Sequence, residues 1–183
     1  IFNVYNLMAA VAAVHITTKK PLDEICEALE GFAGVSGRME TVCTNPLAIV
    51  DFAHTPDGMN EVLKSFNEKE IICVFGAGGD RDKLKRPLMG QVAAQFAKHI
   101  IVTSDNPRNE DPDMIIEDIL KGIKNHPSIQ VEINRKEAIK KAMEMANENS
   151  VVLVLGKGDE STQIIYDNKF HFSDKEEILK HIK

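Results

Sequence analysis

Four short strings concentrate the residue types that bind or activate small polar molecules. Asp51-Phe52-Ala53-His54-Thr55-Pro56-Asp57 offers a carboxylate and an imidazole, and Gly76-Ala77-Gly78-Gly79-Asp80-Arg81-Asp82-Lys83 a glycine turn followed by charge. Ser104-Asp105-Asn106-Pro107-Arg108 sets an arginine behind a proline, and Gly156-Lys157-Gly158-Asp159-Glu160 a carboxylate behind two glycines. Backbone N–H groups with the cations Arg81, Lys83, Lys85 and Arg86 behind them suit a carboxylate or phosphate. Arg108 on a stiff turn suits bidentate pairing with a carboxylate, which lysine does not reproduce. Asp51 suits ribose hydroxyls, with the His54 imidazole against a nucleotide ring.

Each string also has a plainer reading, that of Asp105-Asn106-Pro107-Arg108 being a turn in which the proline holds Asn106 extended. GAGG lacks the full GxGxxG and reads as a flexible turn, and Lys83 and Lys85 as a solvated charge run. His54 taken alone is a satisfied loop histidine, Gly156–Gly158 a tight strand exit, and Glu160 surface decoration. Asn3 and Asn6 lie three apart, hence on one helical face, where an amide pairs with an adenine edge or caps a loop; spacing alone favours the cap. His15, His99, His126, His171 and His181 have no partner at metal-ligand spacing, so no metal site is assigned.

The elements that carry these strings alternate. Strands are expected at Leu47–Asp51, Ile71–Phe75, Ile100–Thr103, Ile129–Ile133 and Val151–Leu155, and helices at Asp57–Phe66, Pro87–Ala97, Pro112–Ile123 and Lys136–Asn147. That is an α/β, Rossmann-like domain, a mostly parallel twisted sheet flanked by helices. All four strings then follow strand ends, and in such sheets ligands bind beyond the carboxyl ends, so the loops should converge on one rim. A hairpin is expected over Ile164–Phe172 with Asp167-Asn168 at its middle, and a closing helix over Ser173–Ile182 capped by Ser173. The first residues differ: helices at 3–14 and near Leu22–Glu30, then Gly34-Val35-Ser36-Gly37, read as a linker and hinge. Ile1 is not an initiator methionine, so the chain is expected to be a fragment.

Composition narrows the classes. The balance of 22 basic and 28 acidic residues, a net charge of −6 over 183 residues, argues against general nucleic-acid or anionic-membrane binding. Apolar runs stop short of the about 20 residues a membrane span needs, and no signal peptide is visible; a cytoplasmic protein is expected. Cys26, Cys43 and Cys73 lack CxxC spacing and read as reduced, mostly buried thiols.

Taken in order, FNVYNLMAA, GRME, VDFAHTPDGM, VFGAGGDRDKLKRPLMG, TSDNPR and GKGDE resemble the C-terminal region of the Mur ligases, of the kind that adds meso-diaminopimelate. The strings run from Ile1 to Glu160, and DNPR is the family's signature for diaminopimelate over lysine. The resemblance implies an ATP-dependent, ADP-forming amide ligase that joins meso-diaminopimelate to UDP-N-acetylmuramoyl-L-alanyl-D-glutamate in peptidoglycan precursor synthesis. It implies that residues 1–34 end a central ATPase domain and that residues 35–183 form the amino-acid-binding ligase domain. The P-loop, the catalytic groups and most Mg2+ ligands would then lie in absent N-terminal and central domains, with none in this chain.

Carried over by position, Asn3, Asn6, Arg38 of GRME, Asp51 and His54 would hold ATP. Arg81, Asp105, Asn106, Arg108, Gly156 and Glu160 would hold the amino acid. Two positions depart from the family pattern, Phe52 where tyrosine is usual and Asp159 where histidine is usual. The alternatives are a related ligase for lysine or another amino acid, and a non-catalytic nucleotide- or amino-acid-binding module. Purified alone with ATP, diaminopimelate and the nucleotide dipeptide, the chain is expected to release no ADP; measurable release would contradict the assignment of catalysis to other domains.

Overall fold

A computed structural model describes residues 2–182, apart from the side chains of Phe2 and Asn3. The chain separates into two compact units, Ile1–Gly34 and Val35–Lys183. The first holds α1 (Phe2–Thr18) and α2 (Leu22–Glu27). α1 runs four residues beyond the expected Val14, and its last threonines bond back to the preceding turn, Thr17 to Ala13 O at 2.8 Å and Thr18 to Val14 O at 2.7 Å.

In the second unit the chain order is β1 (Glu40–Thr44), β2 (Leu47–Asp51), α3 (Pro56–Lys64), β3 (Glu70–Phe75), α4 (Lys85–Phe96), β4 (His99–Val102) and α5 (Pro112–Leu120). There follow β5 (Ile129–Val131), α6 (Arg135–Met145), β6 (Ser150–Leu155), β7 (Thr162–Ile165), β8 (Asn168–His171) and α7 (Asp174–Leu179). A six-stranded sheet has the order β1-β2-β6-β3-β4-β5, parallel throughout except for β1, which lies antiparallel on β2. The expected α/β class holds.

Central strands β3 and β6 read IICVF and VVLVL because both faces are covered. Successive side chains point to opposite faces. Ile71, Cys73, Phe75, Val151, Leu153 and Leu155 pack with α3, α4 and α5, while Ile72, Val74, Val152 and Val154 pack with α6 and α7. Four helices start on side-chain caps: Thr55 accepts from Gly58 N at 3.2 Å, Asp111 from Asp113 N at 2.9 Å, Asn134 from Lys136 N at 3.1 Å and Ser173 from Glu176 N at 3.4 Å. Pro56 and Pro112 occupy first-turn positions where a missing N–H costs nothing.

The structure corrects several expectations. β1 was not expected; its half-exposed ETVCT lacks the apolar run of a central strand, as befits an edge. β5 stops at Val131, two residues early. The hairpin turns at Tyr166-Asp167, with Ile165 opposite Asn168, because Tyr166 takes φ 51°. All three cysteines are free, but only Cys73 is buried, Cys43 being partly exposed and Cys26 exposed. Burial pushes the Cys73 thiol up to about 12, so it stays protonated.

One buried ion pair ties both helices of the second face to the strand ends. Arg135 Nε donates to Asp174 Oδ1 at 2.7 Å and Nη2 to Oδ2 at 2.8 Å, with both side chains fully buried. Nη2 also reaches Leu155 O at 3.0 Å, at the end of β6. Removing one partner strands a desolvated charge. Asp174→Ala should therefore cost about 3–5 kcal/mol in urea unfolding; a loss below about 1 kcal/mol, the surface-pair range, would contradict this role.

Candidate functional site

The carboxyl ends of β2, β6, β3 and β4 share one edge of the sheet, so the four strings do meet. The loop after β4 is fixed most tightly. Gly79 N donates to Asn106 O at 2.9 Å, Arg108 N to Ile164 O at 3.1 Å and Tyr166 N to Arg108 O at 2.8 Å. The turn is thus clamped between the glycine loop and β7. Arg108 takes φ 51°, a left-handed conformation that a non-glycine residue adopts at a cost. A Cβ on Gly79 would lie 1.9 Å from Pro107 O, so the glycine allows the two backbones to touch.

Arg108 is half-buried; its Nη1 donates to Gly79 O at 2.8 Å, while Nε and Nη2 have no protein partner among the described residues. That leaves the side-on fork of the guanidinium available to a carboxylate. Arg81 is exposed, and a Cβ built on Gly78 would lie 2.9 Å from Arg108 Nη1 and 3.7 Å from Arg81 Cγ, so the two arginines flank one residue.

The acidic side comes from Asp105 and Glu160. Asp105 Oδ1 accepts from Asn106 N at 2.6 Å, and its Oδ2 lies 2.9 Å from where a Cβ on Gly156 would stand. Gly156, at φ 114°, is the residue that lets the β6 loop pass this carboxylate. Glu160 Oε2 accepts from Asn106 Nδ2 at 2.8 Å and from Lys157 Nζ at 2.9 Å, whereas Oε1 has no partner among the described residues. Burial works against the charge on Glu160, but the bonds from Lys157 and Asn106 and the nearby Arg108 outweigh it, and its carboxyl lies below the ordinary value. Asn106 spends Oδ1 on Lys157 Nζ and Ile164 N and one amide hydrogen on Glu160, keeping one donor.

Other cations expected at this rim do something else. Arg86 is buried, with Nη1 and Nη2 on Glu110 at 3.0 and 2.8 Å and Nη1 also on Asp118 at 3.0 Å. Lys83 pairs with Glu110 at 3.0 Å, and Lys85 Nζ donates to His54 O at 2.9 Å. Two N–H groups of the glycine loop are likewise consumed, Gly79 on Asn106 O and Asp80 on Glu110 Oε1 at 2.6 Å. The loop is a packing device against the DNPR turn, and the expected cradle of free amides with four clustered cations is corrected to Arg81 and Arg108.

A second group stands at the end of β2. Asp51, 7% exposed, accepts from Met39 N at 2.7 Å and Ala53 N at 2.8 Å, so each oxygen holds one backbone amide and keeps a further lone pair. The exposed Arg38 guanidinium lies 4.2 Å over the Phe52 ring, and His54 meets that ring edge-on at 4.7 Å. His54 Nδ1 is engaged with Phe52 O at 2.9 Å. Gly156 N donates to Asp51 O at 3.0 Å, which joins this group to the acidic side. Asn6 is exposed on α1, in the other unit, and the side chain of Asn3 lies outside the described residues. Among the described residues no three His, Cys, Asp or Glu side chains are grouped to hold a metal, and no helix is long and apolar enough to cross a membrane.

A family model described as "Mur ligase, glutamate ligase domain" matches residues 37–158. The chain belongs to the Mur ligase family. It is 56% identical over 96% of its length to a UDP-N-acetylmuramoyl-L-alanyl-D-glutamate–2,6-diaminopimelate ligase of Helicobacter hepaticus, and spans 38% of that relative. A solved structure of a ligase bearing that name is similar over 98% of the chain and 38% of its own length, with TM-score 0.76 and 38% identity. A pseudomurein peptide ligase type C from Methanothermus fervidus shares the fold over 86% of the chain and 33% of its own, with TM-score 0.67 and 24% identity. The matched part of this Mur ligase domain contains all four strand-end strings except the last two residues of GKGDE.

Lys157, Glu110 and Arg135 are absent from the sequence-based site, Arg86 stands in it only as a ligand-facing cation, and no spacing rule exposes their structural roles, because each becomes important only through burial. The glycines around Lys157 are its one signal: a lysine between two glycines is displayed by a tight turn, inward or outward. Hydrogen bonds from Arg86 hold the Glu110 carboxyl down to about 2, against an ordinary 4.5. Stability from this group is therefore complete above about pH 4.5 and is lost as pH falls toward 2. The stability difference between the native chain and Glu110→Gln, followed by urea unfolding, should be constant above pH 5 and shrink on acidification; a difference independent of pH down to 2.5 would contradict the pairing.

Proposed function

We propose that this Mur ligase domain binds the incoming amino acid of an ATP-dependent ligase that adds meso-diaminopimelate to UDP-N-acetylmuramoyl-L-alanyl-D-glutamate. One observation carries the reading: Arg108, on a clamped turn, offers an unused guanidinium fork beside Glu160, which offers an unused carboxylate oxygen. Meso-diaminopimelate ends in a carboxylate and an ammonium on one carbon, so a fixed cation and anion side by side match it. Lysine ends in an ammonium alone and would leave the Arg108 fork desolvated and unpaired, a penalty on the order of 2–5 kcal/mol. Asp105 adds a second acceptor, Asn106 its remaining amide hydrogen, Arg81 a cation at the margin, and Gly156 the space between.

The group at the end of β2 fits a nucleotide: Arg38 for phosphate, Asp51 for ribose hydroxyls and His54 for the ring. ATP, once bound, supplies the phosphoryl group that activates the acceptor carboxylate. Mg2+, on this reading, would be held by the ATP phosphates and by groups of the N-terminal and central domains beyond this chain. On this reading Ile1–Gly34 closes the central domain, the Gly34–Gly37 segment is the hinge, and the reaction is cytoplasmic, where Cys26, Cys43 and Cys73 stay reduced.

The test is kinetic, in the full-length protein. Arg108→Ala should raise KM for meso-diaminopimelate roughly tenfold or more, with KM for ATP changed less than about twofold. Equal effects on both substrates, or none on the amino acid, would refute the assignment.

A further inference from the structure

Lys157 is fully buried, yet it touches neither the nucleotide group nor solvent, and all three of its ammonium hydrogens are spent. They go to Asn106 Oδ1 at 3.1 Å, Glu160 Oε2 at 2.9 Å and Thr162 O at 2.8 Å. The Phe172 ring, itself buried, lies 5.9 Å from Nζ and closes another side of the ammonium's surroundings. The three acceptors belong to three segments: the turn after β4, the loop after β6 and the first residue of β7. A buried ammonium is expensive unless its bonds are complete, so its presence needs a reason beyond packing.

The reason lies in what the cation leaves free. Glu160 is 37% exposed at its side chain and has three rotatable bonds with which to wander into solvent. Lys157 and Asn106 both take Oε2, so Oε1 remains for a ligand in a single orientation. Asn106 is likewise oriented: Lys157 and Ile164 N settle which end of its amide is oxygen, which directs its remaining N–H outward. We propose that Lys157 is a positioning residue for amino-acid specificity, a buried counter-ion that aims Glu160 Oε1 and the Asn106 amide at the zwitterionic far end of the substrate. This rests on the proposed amino-acid site but does not follow from it, since Glu160 could bind an ammonium without an internal cation.

A lysine that only filled space would affect both substrates alike. A positioning lysine acts through Glu160. In the full-length protein, Lys157→Met keeps the chain length and removes the charge and donors. It should raise KM for meso-diaminopimelate at least tenfold while leaving KM for ATP within twofold. The rise should steepen as pH is lowered from 7 to 5.5, because Glu160 loses the cation that keeps it ionised. On a Glu160→Gln background the same change should add less than threefold. Additive effects in that cycle, or a rise independent of pH, would overturn the proposal. If Glu160→Gln alone leaves KM for meso-diaminopimelate unchanged, the amino-acid site itself is wrong; if Glu160→Gln raises it and Lys157→Met does not, only the positioning role fails. Should Lys157→Met not fold, the unmutated protein decides by NMR. The Glu160 carboxyl carbon must titrate below 4.5 and the Lys157 Nζ resonance must move with it, whereas an ordinary midpoint with an unmoved Nζ would overturn the proposal.

Discussion

Everything at the rim depends on a non-glycine residue being held in a left-handed backbone conformation. Arg108 at φ 51° costs about 1–2 kcal/mol relative to the usual regions, and an exposed loop would relax it. Here it cannot relax without breaking its own two backbone bonds to the β7–β8 hairpin and the neighbouring bond from Gly79 to Asn106 O, each worth about 1 kcal/mol. Pro107 removes a further degree of freedom. The strain is therefore over-determined, and its product is an arginine whose fork points from a fixed place. On the proposed reading, discrimination against lysine depends on that rigidity, because a mobile arginine would swing into water and escape the unpaired-charge penalty.

Charge at this rim is sorted by burial. Arg86 and Arg135 are nearly inaccessible and hold Glu110 with Asp118, and Asp174, respectively. Lys157 is equally inaccessible and holds two polar side chains at once. These cations brace loops against strand ends. Arg81, Arg108 and Arg38 keep open surface and unused donors, and on the proposed reading they are the ones that meet ligands. The same division explains the two carboxylates at strand ends: Asp51 is anchored by two backbone amides, while Glu160 is anchored through one oxygen and open through the other.

Much of this was legible in the sequence. The alternation of β-branched runs with amphipathic segments located the parallel strands and the helices that cover them, and the position of each polar string after a strand end foretold their convergence. Pro112 and Ser173 marked helix starts through local chemistry. What could not be read is tertiary in origin. β1 is an edge strand without an apolar run and exists because β2 offers it a partner. Arg86 looked like a ligand-facing cation because nothing local reveals that Glu110 and Asp118 fold over it. The glycines of GAGG looked like an anion cradle, when their neighbour turned out to be the backbone at Pro107. Lys157, flanked by glycines, gave no sign that its ammonium turns inward.

A crystal structure of the full-length protein with meso-diaminopimelate tests the central claim most directly. The account predicts the distal carboxylate against the Nε–Nη2 edge of Arg108 and the distal ammonium on Glu160 Oε1, with the turn unmoved. A ligand whose far end is free in solvent, or is gripped by another face of the domain, would contradict it.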